Sequence, residues 1–318
     1  MGFRAVRLHR TVVAMDLPPL AFRGELLEAG WTSGEVQRMR QAGALSPVRR
    51  GSYVNPADGR PDTPEAQHLL LVRATLPHLS PGWVLSHASA AVVLGLPVWG
   101  QDLSRVHVTR DGSGGGRLTR GVHRHVSPLG EDETTVVDGM RVTKPGRTVN
   151  DVARTVPFEQ AVVVADAALA MLPNDRPSLL AAQARTGLWR GAPQALRAIR
   201  FADGGARSPG ESRSRVAMHH AGLPAPLLQY EILTPDGRFV GCVDFAWPHL
   251  RTVGEFDGKI KYGRLVEPGQ SAGDVLFAEK VREDAIRACD WRMVRWIWRD
   301  IDAFDPVAAR LRHFLSVG

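Results

Sequence analysis

Val243-Asp-Phe-Ala-Trp247, the turn Pro248-His-Leu250, and Arg251-Thr-Val-Gly-Glu-Phe-Asp257-Gly-Lys259 form the stretch that governs the C-terminal third. Both flanks are rich in aromatic and β-branched residues, so a hairpin with strands over 238–247 and 251–257 is expected. A carboxylate inside an apolar strand is costly unless something satisfies it. This hairpin carries three. Asp244 and Glu255 come side by side across the turn, and Asp257, two residues beyond Glu255, lies on the same face of its strand. Two solutions fit. Three acids within reach make an oxygen-rich site suited to Mg²⁺, with Asp244 and Glu255 as metal ligands and Asp257 assisting. Such an ion generates hydroxide and neutralises charge on a phosphodiester, and Lys259, Lys261 or Lys280 would stabilise that charge. Alternatively, the acids form the polar rim of a sheet and pair with arginines such as Arg282 or Arg295.

On either side of the hairpin the pattern is compact α/β. Residues 201–210, Phe-Ala-Asp-Gly-Gly-Ala-Arg-Ser-Pro-Gly, have the composition of a linker. Then come a helix over 209–221, a strand over 228–233, an Asp236-Gly237 turn and the hairpin. A helix over 274–288, a strand over 291–298 and a closing helix over 306–315 complete the series. Ser208-Pro-Gly-Glu211 reads as a capping box with Pro209 at the first helical position. Lys280 with Asp284, and Glu283 with Arg287, have the i,i+4 spacing of surface pairs. Trp291, Trp296 and Trp298 are expected to pack the sheet rather than stack on bases.

Asp244 on one strand and Glu255-Phe-Asp257-Gly-Lys259 on the next resemble the PD-(D/E)XK nuclease pattern. More closely they resemble the very short patch repair endonuclease-like group, whose members read "DF … hEhDG" (h, apolar). In that group a helix with Arg-Asp-like pairs and a "V-x-R-h" strand follow. Here Glu279-Lys280-Val-Arg282-Glu283-Asp284 and Val294-Arg295-Trp296 take those places. The resemblance covers residues 207–318 and implies a restriction-endonuclease-like α/β domain with a central mixed sheet. It further implies a Mg²⁺-dependent DNA endonuclease, with Lys259 or Lys280 as the stabilising lysine and the helix glutamate Glu211 completing the metal site. If Glu255 is the second ligand, Asp257 takes the usual lysine position. If Asp257-Gly258-Lys259 is the D-x-K, Glu255 is an additional carboxylate. The same fold also occurs in inactive binding modules.

Composition narrows the class of molecule. With 318 residues, 44% of them hydrophobic and 23% charged, the chain is a globular protein of two or three domains. The longest apolar stretch, 161–172, is broken by Asp166, so no transmembrane helix is expected. The first fifteen residues carry Arg4, Arg7 and Arg10 without an apolar core, which argues against secretion. Met15 is a second candidate start. Cys242 and Cys289 lack metal-ligand spacing and make no disulfide framework, so a cytoplasmic location is expected. Of the 40 basic residues only four are lysine, a bias that suggests a GC-rich genome and weakens the net charge of +7 as a sign of nucleic acid. Its distribution is more informative. Residues 1–60 hold nine basic and five acidic side chains, and residues 61–200 hold 15 and 12. Residues 201–318 hold 16 of each, so the excess sits in the first two thirds.

In the first of those parts, residues 16–60 read as a winged helix-turn-helix. Helical spacing over 17–29 ends at Gly30, Thr32 or Ser33 caps a second helix over 34–41, and Gly43 stops it. Leu45-Ser-Pro-Val-Arg-Arg-Gly-Ser-Tyr-Val54 follows as a hairpin with Arg49 and Arg50 at its tip. Arg38 and Arg40 on the second helix would face the major groove and the wing arginines would touch phosphate. A plain helical hairpin with solvated arginines is the alternative. Residues 61–200 look like mixed α/β, with helices over 64–76, 86–94 and 147–172, the last as one helix or two. Strands are expected over 105–110, 121–126 and 136–142, the last around an Asp138-Gly139 turn. His123 and His125 alternate onto one strand face with His107 nearby. No further ligands stand out, so a solvated face is expected there.

Phe22-Arg23, Gly30-Trp31, Arg49-Arg50-Gly51-Ser-Tyr53, Leu85-Ser-His87-Ala-Ser-Ala-Ala91, Gly95-Leu-Pro97 and Val142-Thr-Lys-Pro-Gly-Arg147-Thr148 resemble the AbiEi-type antitoxins of type IV toxin–antitoxin systems. The resemblance covers residues 16–170. It implies an N-terminal winged helix, transcriptional autoregulation and a cognate toxin as partner. The expectation is therefore a cytoplasmic protein that binds double-stranded DNA, with a winged helix at 16–60, an AbiEi-like domain at 61–200 and a nuclease-like domain at 207–318. It is either a Mg²⁺-dependent endonuclease or a non-catalytic regulator using the C-terminal fold for interaction.

Overall fold

The computed structural model describes residues 17–59, 63–119, 121–173, 175–258 and 272–316. The chain is mixed α/β, with sheets of three, six and four strands among the described residues, and divides into two compact units. The first unit takes residues 1–164 and 174–200, and the second takes 165–173, a piece of the expected middle domain, with 201–318. Among the described residues no helix is long and apolar enough to cross a membrane. Lys259, Lys261 and Met15 lie outside the described residues.

The first unit begins with a small module. Its first helix is shorter than the leucine spacing predicts, running Arg23–Glu28, because Ala21–Phe22 is instead a strand paired with Tyr53 and Ser52. Pro18 and Pro19 cannot donate helical N–H bonds, and this favours the extended entry. The second helix, Ser33–Gln41, starts at Thr32, whose hydroxyl accepts the Glu35 N–H while the Glu35 carboxylate accepts the Thr32 N–H. Strands Ser46–Arg49 and Ser52–Val54 close a three-stranded sheet, and Val36, Leu45 and Tyr53 form its core.

A six-stranded sheet follows, in the order Arg117–Thr119, Val122–Val126, Val106–Arg110, Val84–Leu85, Met140–Thr143, Thr134–Val137. The expected single strand over 136–142 is two strands joined by a tight turn. Asp138 and Gly139, at φ +48° and +75°, supply the two left-handed residues that a type I′ hairpin needs. Val106, Val108 and Val122 are buried while alternate positions carry histidines. Helices Pro64–Thr75, His87–Val93, Pro145–Ala153 and Arg176–Arg185 belong to the same unit.

In the second unit the sheet is Leu227–Leu233, Phe239–Trp247, Thr252–Asp257, Arg292–Ile297. The first three strands run antiparallel in chain order. The fourth pairs parallel with the third, and helix Ala272–Ala288 falls between them in sequence. Trp296 is fully buried, stacked on Phe245 with Phe304 at its edge, and its indole N–H donates to the Ser214 hydroxyl at 2.7 Å. Trp291 is buried too, so packing accounts for both. The expected linker 201–210 is not a loose tether: Ala202 and Ala206 are buried, and Gly204 lies against the Leu169 backbone.

Gly254 sits under Trp296, so close that an added Cβ would stand 2.6 Å from the ring. Gly254→Ala is therefore expected to lower the unfolding free energy by about 1–3 kcal/mol, because a buried ring cannot withdraw without moving the sheet. Urea denaturation reads this as a lower midpoint, and an unchanged midpoint would contradict the packing.

Candidate functional site

Three constellations carry charge or chemistry. The first is the N-terminal module. Arg38 and Arg40 are exposed on the second helix, and Arg50 is exposed at the hairpin turn beside Gly51, whose φ of +82° makes that turn possible. Arg40 lies over the Tyr53 ring at 5.7 Å, which holds its guanidinium near the sheet. Arg49, expected at the tip, is half-buried and donates to the Ala74 carbonyl at 3.4 Å. It braces the hairpin against the helix Pro64–Thr75 rather than pointing at a ligand.

The second constellation is the acidic group. Arg282, from helix Ala272–Ala288, forks onto Glu255 with bonds of 2.7 and 3.1 Å. The parallel register sets Arg295 directly opposite Glu255, and the two pair at 2.7 Å. Arg295 also reaches Glu279 at 3.2 Å and Glu283 at 3.3 Å. Both arginines named in the sequence alternative are thus on the carboxylate.

Glu211 and Asp244 are held differently. Gln229 has an uncommon left-handed φ of +49° within its strand, and its amide donates to Glu211 at 3.0 Å and to Asp244 at 3.5 Å. Glu211 also accepts from the Arg207 N–H and the Ser208 hydroxyl, and Ser208 in turn accepts the Glu211 N–H, so the capping role is realised. Asp244 accepts the Phe256 N–H at 2.8 Å. Asp257 is half-buried at the end of its strand, and Lys280 is exposed on the helix. Of the two surface pairs expected on that helix, Glu283 with Arg287 forms at 2.8 Å.

Mg²⁺ does not fit this donor set. It demands near-ideal octahedral oxygens. Here guanidinium groups occupy Glu255, and an amide NH₂ stands between Glu211 and Asp244 where a cation would have to sit.

The third constellation was hidden in the sequence. On the six-stranded sheet, parallel pairing sets His107 beside His123 and Thr109 beside His125. His87 joins them from the start of the helix that follows Val84–Leu85. It is a buried, bulky residue held at φ +50°. One ligand atom from each of His87, His107 and His125 lies within 4.8 Å of the others. The His107 Nδ1 and His125 Nε2 are 3.1 Å apart, and His87 Nδ1 meets the Ser86 hydroxyl at 3.0 Å. His87 stacks on His125 at 3.9 Å, and His123 lies 4.0 Å from it on the other contact. This is no solvated face. Burial, followed by neighbouring imidazoles, pushes His107 down to about 4 and His125 to about 2, and holds His87 well below the ordinary histidine range. In each case the shift favours the uncharged imidazole. His87 and His125 line a cleft of about 490 Å³ together with Gly112, Ser113, Ser127 and Arg154. His87 lies 20 residues before His107 in the chain, and the pairing of Val84–Leu85 with Val106–Arg110, continued by the Ser86 N–H donating to the His107 carbonyl, brings it near.

No protein-family model matches the chain. Two uncharacterised proteins of Mycobacterium tuberculosis, MT2308 of strain CDC 1551 / Oshkosh and Rv2248 of strain H37Rv, are each 38% identical to it over 182 residues. That match covers 57% of this chain and 64% of theirs, so the chain spans less than two thirds of the length of the relatives it matches. Among solved structures, the Rv2827c protein from the same species covers 69% of this chain and 85% of its own at 15% identity, with a TM-score of 0.40.

Glu255→Gln leaves two guanidinium groups facing an uncharged amide. It is expected to destabilise the protein by about 3 kcal/mol, the lower end for a buried pair, because Arg282 and Arg295 keep 30% and 28% of their surface in water. Chemical denaturation measures this, and a loss within 0.5 kcal/mol, the range of ordinary surface substitutions, would mean the pairs are ornamental.

Proposed function

We propose that this chain is a non-catalytic DNA-binding regulator. In this reading the N-terminal module is a winged helix-turn-helix and binds double-stranded DNA through Arg38, Arg40 and Arg50. Helix, short turn, capped helix and basic hairpin support it, as does the charge of residues 1–60, nine basic against five acidic. The second unit is read as a restriction-endonuclease-like domain of the very short patch repair-like kind. The order helix, three antiparallel strands, helix and parallel strand favours that reading. Its role is interaction rather than hydrolysis. The observation that carries this choice is the pairing of Glu255 with Arg282 and Arg295, which occupies the carboxylate a metal would need. The endonuclease reading requires both arginines to let go. Autoregulation of AbiEi type, with a cognate toxin as partner, follows from the same proposal.

Fluorescence anisotropy on fragments of the gene's own promoter tests it. Arg38→Ala, Arg40→Ala and Arg50→Ala should each weaken binding, and each lost phosphate contact should flatten the slope of log affinity against log salt by about 0.9. Binding unchanged in the triple variant overturns the DNA-reading role. With Mg²⁺ present, neither plasmid nor mismatched duplex should be cut, in the wild type or in Asp244→Ala. Cleavage by the wild type that Asp244→Ala abolishes would restore the endonuclease.

A further inference from the structure

The imidazole cluster of the first unit stands apart from the arginines proposed to read DNA, and its arrangement is not that of a packed core. Core histidines are ordinarily fixed by carbonyls or carboxylates, as His68 is here by the Leu103 carbonyl at 2.7 Å and the Ser89 hydroxyl at 2.8 Å. His87, His107, His123 and His125 instead gather around one another. We propose that His87, His107 and His125 bind a divalent transition ion of the zinc class, with a fourth coordination position open to the Gly112–Gly116 cleft.

The ligand chemistry selects the ion. Imidazole nitrogen suits zinc, copper, iron and nickel, whereas magnesium and calcium take oxygen. Three histidines and one open position are the donor set of a zinc site that keeps a water or exchangeable ligand. The geometry is close to what such a site needs. Zinc–nitrogen bonds of about 2.1 Å put tetrahedral ligand atoms about 3.4 Å apart. His107 and His125 already stand at 3.1 Å, and all three ligand atoms lie within 4.8 Å. Second contacts fix His87, whose Nδ1 meets Ser86, while Ser86 also takes the Thr109 hydroxyl at 2.7 Å. The left-handed backbone at His87 turns this side chain toward the sheet, and strain of that kind persists where the surroundings impose it.

Two nearby guanidinium groups do not forbid a cation. Asp151 takes Arg147 at 2.9 Å and Arg154 at 3.3 Å, and Glu133 takes Arg147 at 3.1 Å, so both groups are already partnered by carboxylates. Arg154 lines the cleft beside His87 and His125, where it favours an anionic or hydroxide ligand in the open position.

The test uses the full chain. Metal-stripped wild type titrated with Zn²⁺ should bind one equivalent per chain, and X-ray absorption of the loaded wild type should show three imidazole nitrogens at about 2.0–2.1 Å. His87→Gln, His107→Gln and His125→Gln should each weaken binding at least ten-fold. A His219→Gln/His220→Gln variant, which removes the adjacent pair on helix Pro209–His220, should leave it unchanged. No stoichiometric binding, sulfur scattering in the absorption spectrum, or affinity equal to that of the wild type in all three variants overturns the proposal. Should a variant fail to fold, the spectrum of the wild type decides. DNA affinity is measured separately, so failure of this site leaves the regulator reading standing, and the reverse.

Discussion

Glu255 occupies a strand with neighbours on both sides, and its charge is tolerable there only because two guanidinium groups arrive from different elements. One comes from the helix Ala272–Ala288 and the other from the adjacent parallel strand. Desolvating a carboxylate costs several kcal/mol, so a strand slip of one residue would leave Glu255 facing away from Arg295 and is strongly disfavoured. The ion pairs therefore set register as well as neutrality. Trp296, next to Arg295, then lands over Gly254, the residue before Glu255, where there is room for its ring. Charge and packing specify the same alignment, and that agreement is what lets one arrangement win.

How much of this was legible in the sequence varies with the distance over which each contact acts. Local chemistry was readable: the helix caps at Thr32 and Ser208, the Asp138-Gly139 turn, and the strand–turn–strand around Pro248 all form. The partners of Glu255 were named as one alternative, because Arg282 and Arg295 stand in a helix and a strand that must follow the hairpin. The role of Gln229 was invisible. A glutamine in an apolar strand gives no hint that its backbone will turn left-handed and aim its amide at two acids. The first helix was misread over Leu17–Phe22, since pairing with Ser52 and Tyr53 overrides leucine spacing.

The histidine cluster shows the same limit from the other side. His107, His123 and His125 sit on strands whose alternation can be read, and the parallel register then places them together. The missing member, His87, belongs to a helix start, where a histidine at positive φ leaves no pattern in composition or period. A search for ligands by spacing alone therefore stops one residue short. In the N-terminal module the sequence marks the arginines but not which are committed: Arg49 and Arg50 are neighbours in the chain, and only the fold turns one onto the Ala74 carbonyl.

The order in which the partners of Glu255 appear has a consequence for biosynthesis. Glu255 precedes both Arg282 and Arg295 in the chain, so a nascent polypeptide that has reached the hairpin holds an acid whose counter-charges do not yet exist. The three antiparallel strands can pair as they emerge, but the carboxylate keeps its water until the helix and the parallel strand are made. A late step of domain assembly is thus coupled to a dehydration event, and until then the carboxylate of the hairpin stays in water.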